Sequence, residues 1–94
     1  MKIAWFTPFS KESAIGLYSK IACEALSKYC DIEIYSPNDR FRETFLSVQP
    51  LDSLNISKLN QFDAVIYNMG NFYPYHAEIF DISKQVPGIF ILHD

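Results

Sequence analysis

The sequence predicts an α/β fold, a parallel sheet with helices on both faces. Three observations predict it. Short apolar runs recur at residues 2–7, 31–36, 63–67 and 89–92. Helix-spaced apolar residues fill the stretches after the first and third runs. Proline, glycine and asparagine punctuate the boundaries.

Lys2–Thr7 is a short apolar run stopped by Pro8, as expected of a strand buried on both faces. Pro8–Ser13 reads as a polar loop, with Ser13 a plausible N-cap. From there Leu17, Ile21, Ala25 and Tyr29, with Ala22 and Leu26 beside them, form one apolar stripe at helical spacing. Asp31–Ser36 alternates Ile32 and Ile34 against Glu33 and Tyr35, a second strand ended by Pro37-Asn38-Asp39. Phe45–Val48 is a candidate third strand, and Asn55–Gln61 a helix of one or two turns. Asp63–Tyr67 is a strand, and Asn68-Met69-Gly70-Asn71 a loop. Pro74 suits a first helical turn, where its missing N–H is not needed. Tyr75, Ile79 and Ile82, flanked by Phe80, give the buried stripe of a helix over Tyr75–Lys84. Pro87-Gly88 then turns the chain into Ile89–Leu92, a last buried strand. Strands alternating with helices imply βαβ units and right-handed crossovers. The pattern is that of half a Rossmann-like sheet, a single domain over 1–94 with no helix following its last strand.

Composition narrows the function classes. Ninety-four residues suffice for one small domain, and an apolar content of 49% with 16% aromatic residues supplies a packed core. The net charge is -3 and Lys and Arg form no cluster, which weighs against nucleic acid as the main partner. No apolar run approaches the roughly 20 residues that span a membrane. The opening Met1–Phe6 stretch lacks a cleavage site and reads as a strand, not a signal peptide. Cys23 and Cys30 on one helix would lie about 10 Å apart along its axis, too far for a disulfide. They read as reduced thiols of a cytoplasmic protein, with no metal-ligand spacing around them.

In open α/β sheets ligands bind beyond the carboxyl ends of the strands. Thr7–Ser10 and Ser13–Gly16 follow the first strand, Ser36 the second, Asn68, Gly70 and Asn71 the next, and His93-Asp94 the last. Loops are polar in any protein, so composition alone leaves the meaning of this gathering open. Ser13–Gly16 could present backbone N–H groups to an anion, or Gly16 could serve only close helix–strand packing. The stretch is neither GxGxxG nor a Walker loop, and no acidic residue ends the second strand, so a nicotinamide site is poorly supported and no cofactor is expected. Asn68-x-Gly70-Asn71 offers amides suited to sugar hydroxyls, or a capped turn, which needs the same residue types. His76, in the first turn of the following helix, is a rim residue or a plain surface histidine. His93 is the sharpest candidate, since a buried strand delivers its next residue to a fixed position; the alternative is a hydrogen-bonded structural histidine.

Taken together, "MKIAWFTPFSKESAIGLYSKIACEAL", "FDAVIYNMGNFYPYH" and "PGIFILHD" resemble the family 4 glycosyltransferases over nearly the whole chain. The resemblance implies the N-terminal, acceptor-side half-domain of a GT-B fold, two Rossmann-like domains facing across a cleft. It implies transfer of a sugar from a nucleotide-sugar to a glycan or other acceptor, with retention and without a metal. Gly16 matches the loop glycine near donor or acceptor, and His93 the histidine that reaches the transferred sugar. Ser13, Asn68, Gly70, Asn71, His76 and Asp94 fall at substrate-side positions. Ala14 stands where the family usually has glycine. The C-terminal nucleotide-sugar domain has no counterpart in these 94 residues, so they are expected to be inactive alone and to self-associate. A non-catalytic α/β module binding a nucleotide or partner is the alternative.

Overall fold

A computed structural model describes residues 1–38, 40–70 and 73–93, with backbone only for Tyr73 and Tyr75. Five strands, β1 (Lys2–Phe6), β2 (Asp31–Ser36), β3 (Ser47–Pro50), β4 (Ala64–Met69) and β5 (Ile89–Leu92), form one sheet. Its order is β3-β2-β1-β4-β5, and every pairing is parallel. Helix α1 (Ala14–Leu26) joins β1 to β2, and α2 (Tyr73–Ser83) joins β4 to β5. Two 3-10 turns, Leu51–Ser53 and Ile56–Gln61, precede β4. Because every strand is parallel and each helix follows a strand, the first turns of both helices lie at the carboxyl end of the sheet.

Alternation along the strands divides the core. Ile3, Trp5, Ile32, Ile34 and Ile66 face α1, where Cys23 completes the layer. Ala4, Phe6, Tyr35, Val65 and Tyr67 face Ile79 of α2 and Leu51 and Leu59 of the 3-10 turns. Helices therefore cover both faces, as the sequence predicts. Among the described residues no helix is long and apolar enough to cross a membrane.

The sheet-facing side of α1 is not the apolar stripe. Gly16, Ser19 and Cys23 are its buried residues. Leu17, Ile21 and Tyr29 are 46%, 63% and 83% exposed. Small residues win this face because Trp5 fills the space above β1. The Trp5 indole donates to Ser19 Oγ at 3.0 Å, Ser19 donates to Thr7 Oγ1 at 2.6 Å, and Thr7 donates to the Pro8 carbonyl at 2.9 Å. The Trp5, Ser19 and Thr7 polar groups of this hydrogen-bond relay all have partners, which removes the desolvation cost of an unmatched indole or hydroxyl. A leucine or isoleucine there would hold the helix off the sheet and break the relay.

Other boundaries also move. The third strand lies at Ser47–Pro50, not Phe45–Val48, because β2 pairs Glu33 with Ser47 and Ser36 with Pro50. Proline is tolerated there as the last residue of an edge strand. The strand ending at Tyr67 continues through Asn68 to Met69, since β5 supplies partners for both. Asn68 is thus a strand residue and not a loop residue. The second helix runs over Tyr73–Ser83, with Phe80 exposed and His76 buried. β5 is an edge strand with 59% of Ile89, 47% of Phe90 and 79% of Leu92 exposed, so the expectation of a buried last strand does not hold.

Gly88 sets the approach of β5 to β4. A Cβ there would stand 2.5 Å from the Val65 carbonyl oxygen and 2.6 Å from Tyr67 Cε2. The Tyr67 ring cannot swing away freely, because its hydroxyl donates to the Val86 carbonyl at 2.6 Å. Gly88→Ala is expected to destabilise the fold by about 1–3 kcal/mol, a penalty typical of overpacking. Each kcal/mol lowers the melting temperature by roughly 4–8 °C in a domain of this size. An unchanged melting temperature would mean that the β4–β5 approach has room to spare.

Candidate functional site

Asn68, the fifth residue of β4, is wholly buried. Its side-chain amide donates to the Phe6 carbonyl of β1 at 2.9 Å. Its side-chain carbonyl lies 2.9 Å from His93 Nε2, and its backbone carbonyl 3.3 Å from His76 Nδ1. His93 follows β5 and its backbone N–H donates to the Met69 carbonyl at 2.8 Å, so the strand ladder fixes its position. His76 sits in the first turn of α2 and is 4% exposed. One residue thus ties together β1, the end of β5 and the start of α2.

Gly70 lies between the two helix starts. A Cβ there would meet Ile15 Cδ1 of α1 at 2.8 Å and His76 Nε2 at 2.9 Å. Tyr18 completes the join, its ring edge-on to the His93 imidazole with centroids 4.9 Å apart. Asn68, Gly70, His76 and His93 therefore come together at the carboxyl end of the sheet, against the first turns of α1. Asn71 and Asp94 lie outside the described residues.

Ser13 and Gly16 belong to the neighbouring turn. Ser13 is the N-cap, accepting from the Gly16 N–H at 3.0 Å, so that N–H is already engaged. Gly16 packs under the β1–α1 loop: a Cβ would stand 3.0 Å from the Pro8 carbonyl oxygen and 3.1 Å from that of Ser10. Among the described residues none has positive φ, so this turn uses glycine for space and not for handedness. The loop is clamped from the β2–β3 connection. Asn38 accepts from the Phe9 N–H at 2.8 Å, and Arg42 Nη2 donates to the carbonyls of Lys11 and Ser13 at 2.7 and 3.1 Å. Tyr18, Asn38 and Arg42 escape the sequence reading. Tyr18 sits in the block carrying the family resemblance, but nothing in spacing ties it to a residue 75 positions on.

Both histidines are held neutral. Burial pushes the His76 imidazole below its ordinary value, partly offset by the Asn68 carbonyl, with His93 adding a smaller downward push. Burial does the same to His93. The buried Cys23 thiol is pushed up to about 12, which removes it as a nucleophile at neutral pH. The site can donate and accept hydrogen bonds through neutral imidazoles, with an aromatic wall at Tyr18. A concavity of about 500 Å³ lined by Leu59, Phe62, Val65, Val86 and Gly88 lies at the opposite end of the sheet and touches none of these residues. Asn60 and Asp63 are the polar residues of its lining, and Asp63 already accepts from the Lys2 N–H at 2.7 Å.

The depressed imidazoles make stability depend on pH with a definite sign. The unfolded chain takes up protons near the ordinary value of 6.5, before the folded one does. Stability is therefore full above that value and falls as pH drops through it toward the folded-state values. Denaturant melts across this window are expected to show that decline, and His76→Gln to flatten part of it. A wild-type profile flat between pH 7 and 5 would contradict the burial of both rings.

No family model matches this chain, and no curated protein and no solved structure matches it.

Proposed function

We propose that these residues are the acceptor-side half-domain of a family 4 glycosyltransferase, which transfers a sugar from a nucleotide-sugar to a glycan or other acceptor. The observation that carries this reading is the placement of His93. It stands directly beyond a parallel strand, at the carboxyl end where α/β sheets bind ligands, beside the first turn of α1. The resemblance in the three sequence blocks supplies the chemistry: a retaining transfer without a metal, with the nucleotide-sugar held mainly by a second domain. On this reading His93 hydrogen-bonds the transferred sugar near the reacting carbon. Gly70 and the Ser13–Gly16 turn line the same cleft. Free Cys23 and Cys30 fit a reducing compartment, and the reading places the protein in the cytoplasm.

Transfer needs donor and acceptor held in near-attack geometry by two walls. These residues supply one, so they are expected to turn over no nucleotide-sugar alone. The test uses the gene product that contains them, assayed against a panel of nucleotide-sugars and glycan acceptors, with His93→Ala beside the wild type. One positioned transition-state hydrogen bond is worth about 2.7–4 kcal/mol, so kcat per folded molecule should fall roughly a hundred- to thousandfold, beside the lower melting temperature expected when the buried Asn68 carbonyl loses its donor. Unchanged turnover in a folded mutant would remove His93 from the site. The absence of any turnover with the whole panel would count against the transferase reading.

Self-association is part of the proposal. Edge strand β5 has no charged residue, no proline and three exposed apolar side chains, and Leu17 and Ile21 of α1 are exposed on the same side as Ile89. Unprotected edges of this kind pair with other chains. Residues 1–94 are expected to sediment as dimers or larger species, and Phe90→Lys to shift them toward monomer. A strictly monomeric wild type at high concentration would overturn this part.

A further inference from the structure

The tautomers of both histidines follow from the hydrogen bonds of Asn68. The Phe6 carbonyl can only accept, so the end of the Asn68 side chain that faces it is the NH₂ group. The carbonyl end therefore faces His93 Nε2 at 2.9 Å, and a carbonyl can only accept, so Nε2 carries the hydrogen. The same logic applies on the other side of the strand. The Asn68 backbone carbonyl faces His76 Nδ1, which must be the protonated nitrogen there. Rotation of the amide would set its oxygen against the Phe6 carbonyl oxygen at full burial, two acceptors face to face, a cost of about 1–3 kcal/mol.

We infer that Asn68 is a positioning residue that holds His93 and His76 as opposite tautomers, so that His93 meets its ligand through the lone pair of Nδ1. This rests on the reading of His93 as a ligand-facing residue. A neutral imidazole with hydrogen on Nε2 accepts at Nδ1 and donates nothing there. The ligand group it takes is therefore a hydrogen-bond donor, a hydroxyl or an amine. A phosphate or carboxylate oxygen, itself an acceptor, is excluded while the ring stays neutral. His76 offers the lone pair of Nε2 beside Gly70, so the two rings give the crest of the sheet two acceptors and no cation. The arrangement suits a polyhydroxylated ligand and is poorly suited to the phosphates of a nucleotide, which must be held elsewhere.

The groups packed around His93 are the Asn68 carboxamide from β4, the Tyr18 ring from α1 and, beyond Asn68, the neutral His76 of α2. Among the described residues none of these is a carboxylate, and the group facing Nε2 is the Asn68 carbonyl.

Long-range ¹H–¹⁵N correlation spectra of the imidazole rings in the ¹⁵N-labelled 94-residue protein at pH 7.5 test the inference without any substrate. His93 is expected to show a protonated Nε2 and a bare Nδ1, and His76 the reverse. Hydrogen on Nδ1 of His93, or the mixed pattern of free histidine in either ring, would overturn the assignment. Adding inorganic phosphate should leave His93 Nδ1 bare; conversion to imidazolium would overturn the ligand class. In Asn68→Asp a carboxylate replaces the neutral acceptor, and the His93 titration midpoint should rise by about 1–3 pH units. No rise in a folded variant would overturn the contact, and if that variant does not fold, the wild-type ring pattern decides alone. Failure here is separable from failure of the transferase reading. Reversed tautomers in an active enzyme sink only this inference, and correct tautomers with no sugar transfer sink only that reading.

Discussion

A single buried carboxamide organises the carboxyl end of this sheet. Asn68 bridges the backbone of β1 to the residue after β5 and carries the start of α2 on its own carbonyl. A carboxamide at zero exposure is tolerable only when its polar atoms are matched, and here both ends of the amide have partners. That requirement couples the elements: β5 must be in register with β4 for His93 to reach Asn68, and α2 must begin where His76 can close on the strand. Gly70 gives the space for this convergence, since any side chain there would collide with Ile15 and His76.

The packing of α1 follows a similar constraint of volume. Small residues form the buried face of α1: Ser19 and Cys23 lie against the layer of Trp5 and Ile34, and Gly16 lies against the backbone of Pro8–Ser10. The close approach is held by a polar chain from Trp5 through Ser19 to Thr7, not by large apolar side chains. Leu17 and Ile21 of α1 are consequently left exposed on the outside. The same packing that brings α1 down onto β1 sets Tyr18 against His93. Helix position, exposed surface and candidate site are thus consequences of one fit.

Concavity and chemistry lie at opposite ends of the molecule. The groove between the 3-10 turns and the β4–β5 entry is roomy but lined mainly by apolar residues and backbone. The carboxyl end holds two neutral imidazoles, an aromatic ring and a capped helix start. In a fold whose ligands sit beyond strand ends, fixed polar groups are the better guide than volume.

The sequence by itself determined the succession of strands and helices, the parallel sheet with both faces covered, and the end at which Asn68, Gly70, His76 and His93 would gather. These are local properties: apolar runs, helical spacing and turn residues act over a few neighbours. Tertiary structure decided which face of α1 is buried, because that depends on the volume of Trp5, contributed by another element. It decided that β4 runs on through Asn68, because strand length is set by the partner strand β5. It exposed Ile89–Leu92, because burial of a strand depends on what lies beyond its edge. It also joined Tyr18, Asn38 and Arg42 to the site from residues distant in the chain. Most of all it gave the two histidines their hydrogen-bond partners, the two carbonyls of Asn68, and no spacing along a chain specifies such a partner.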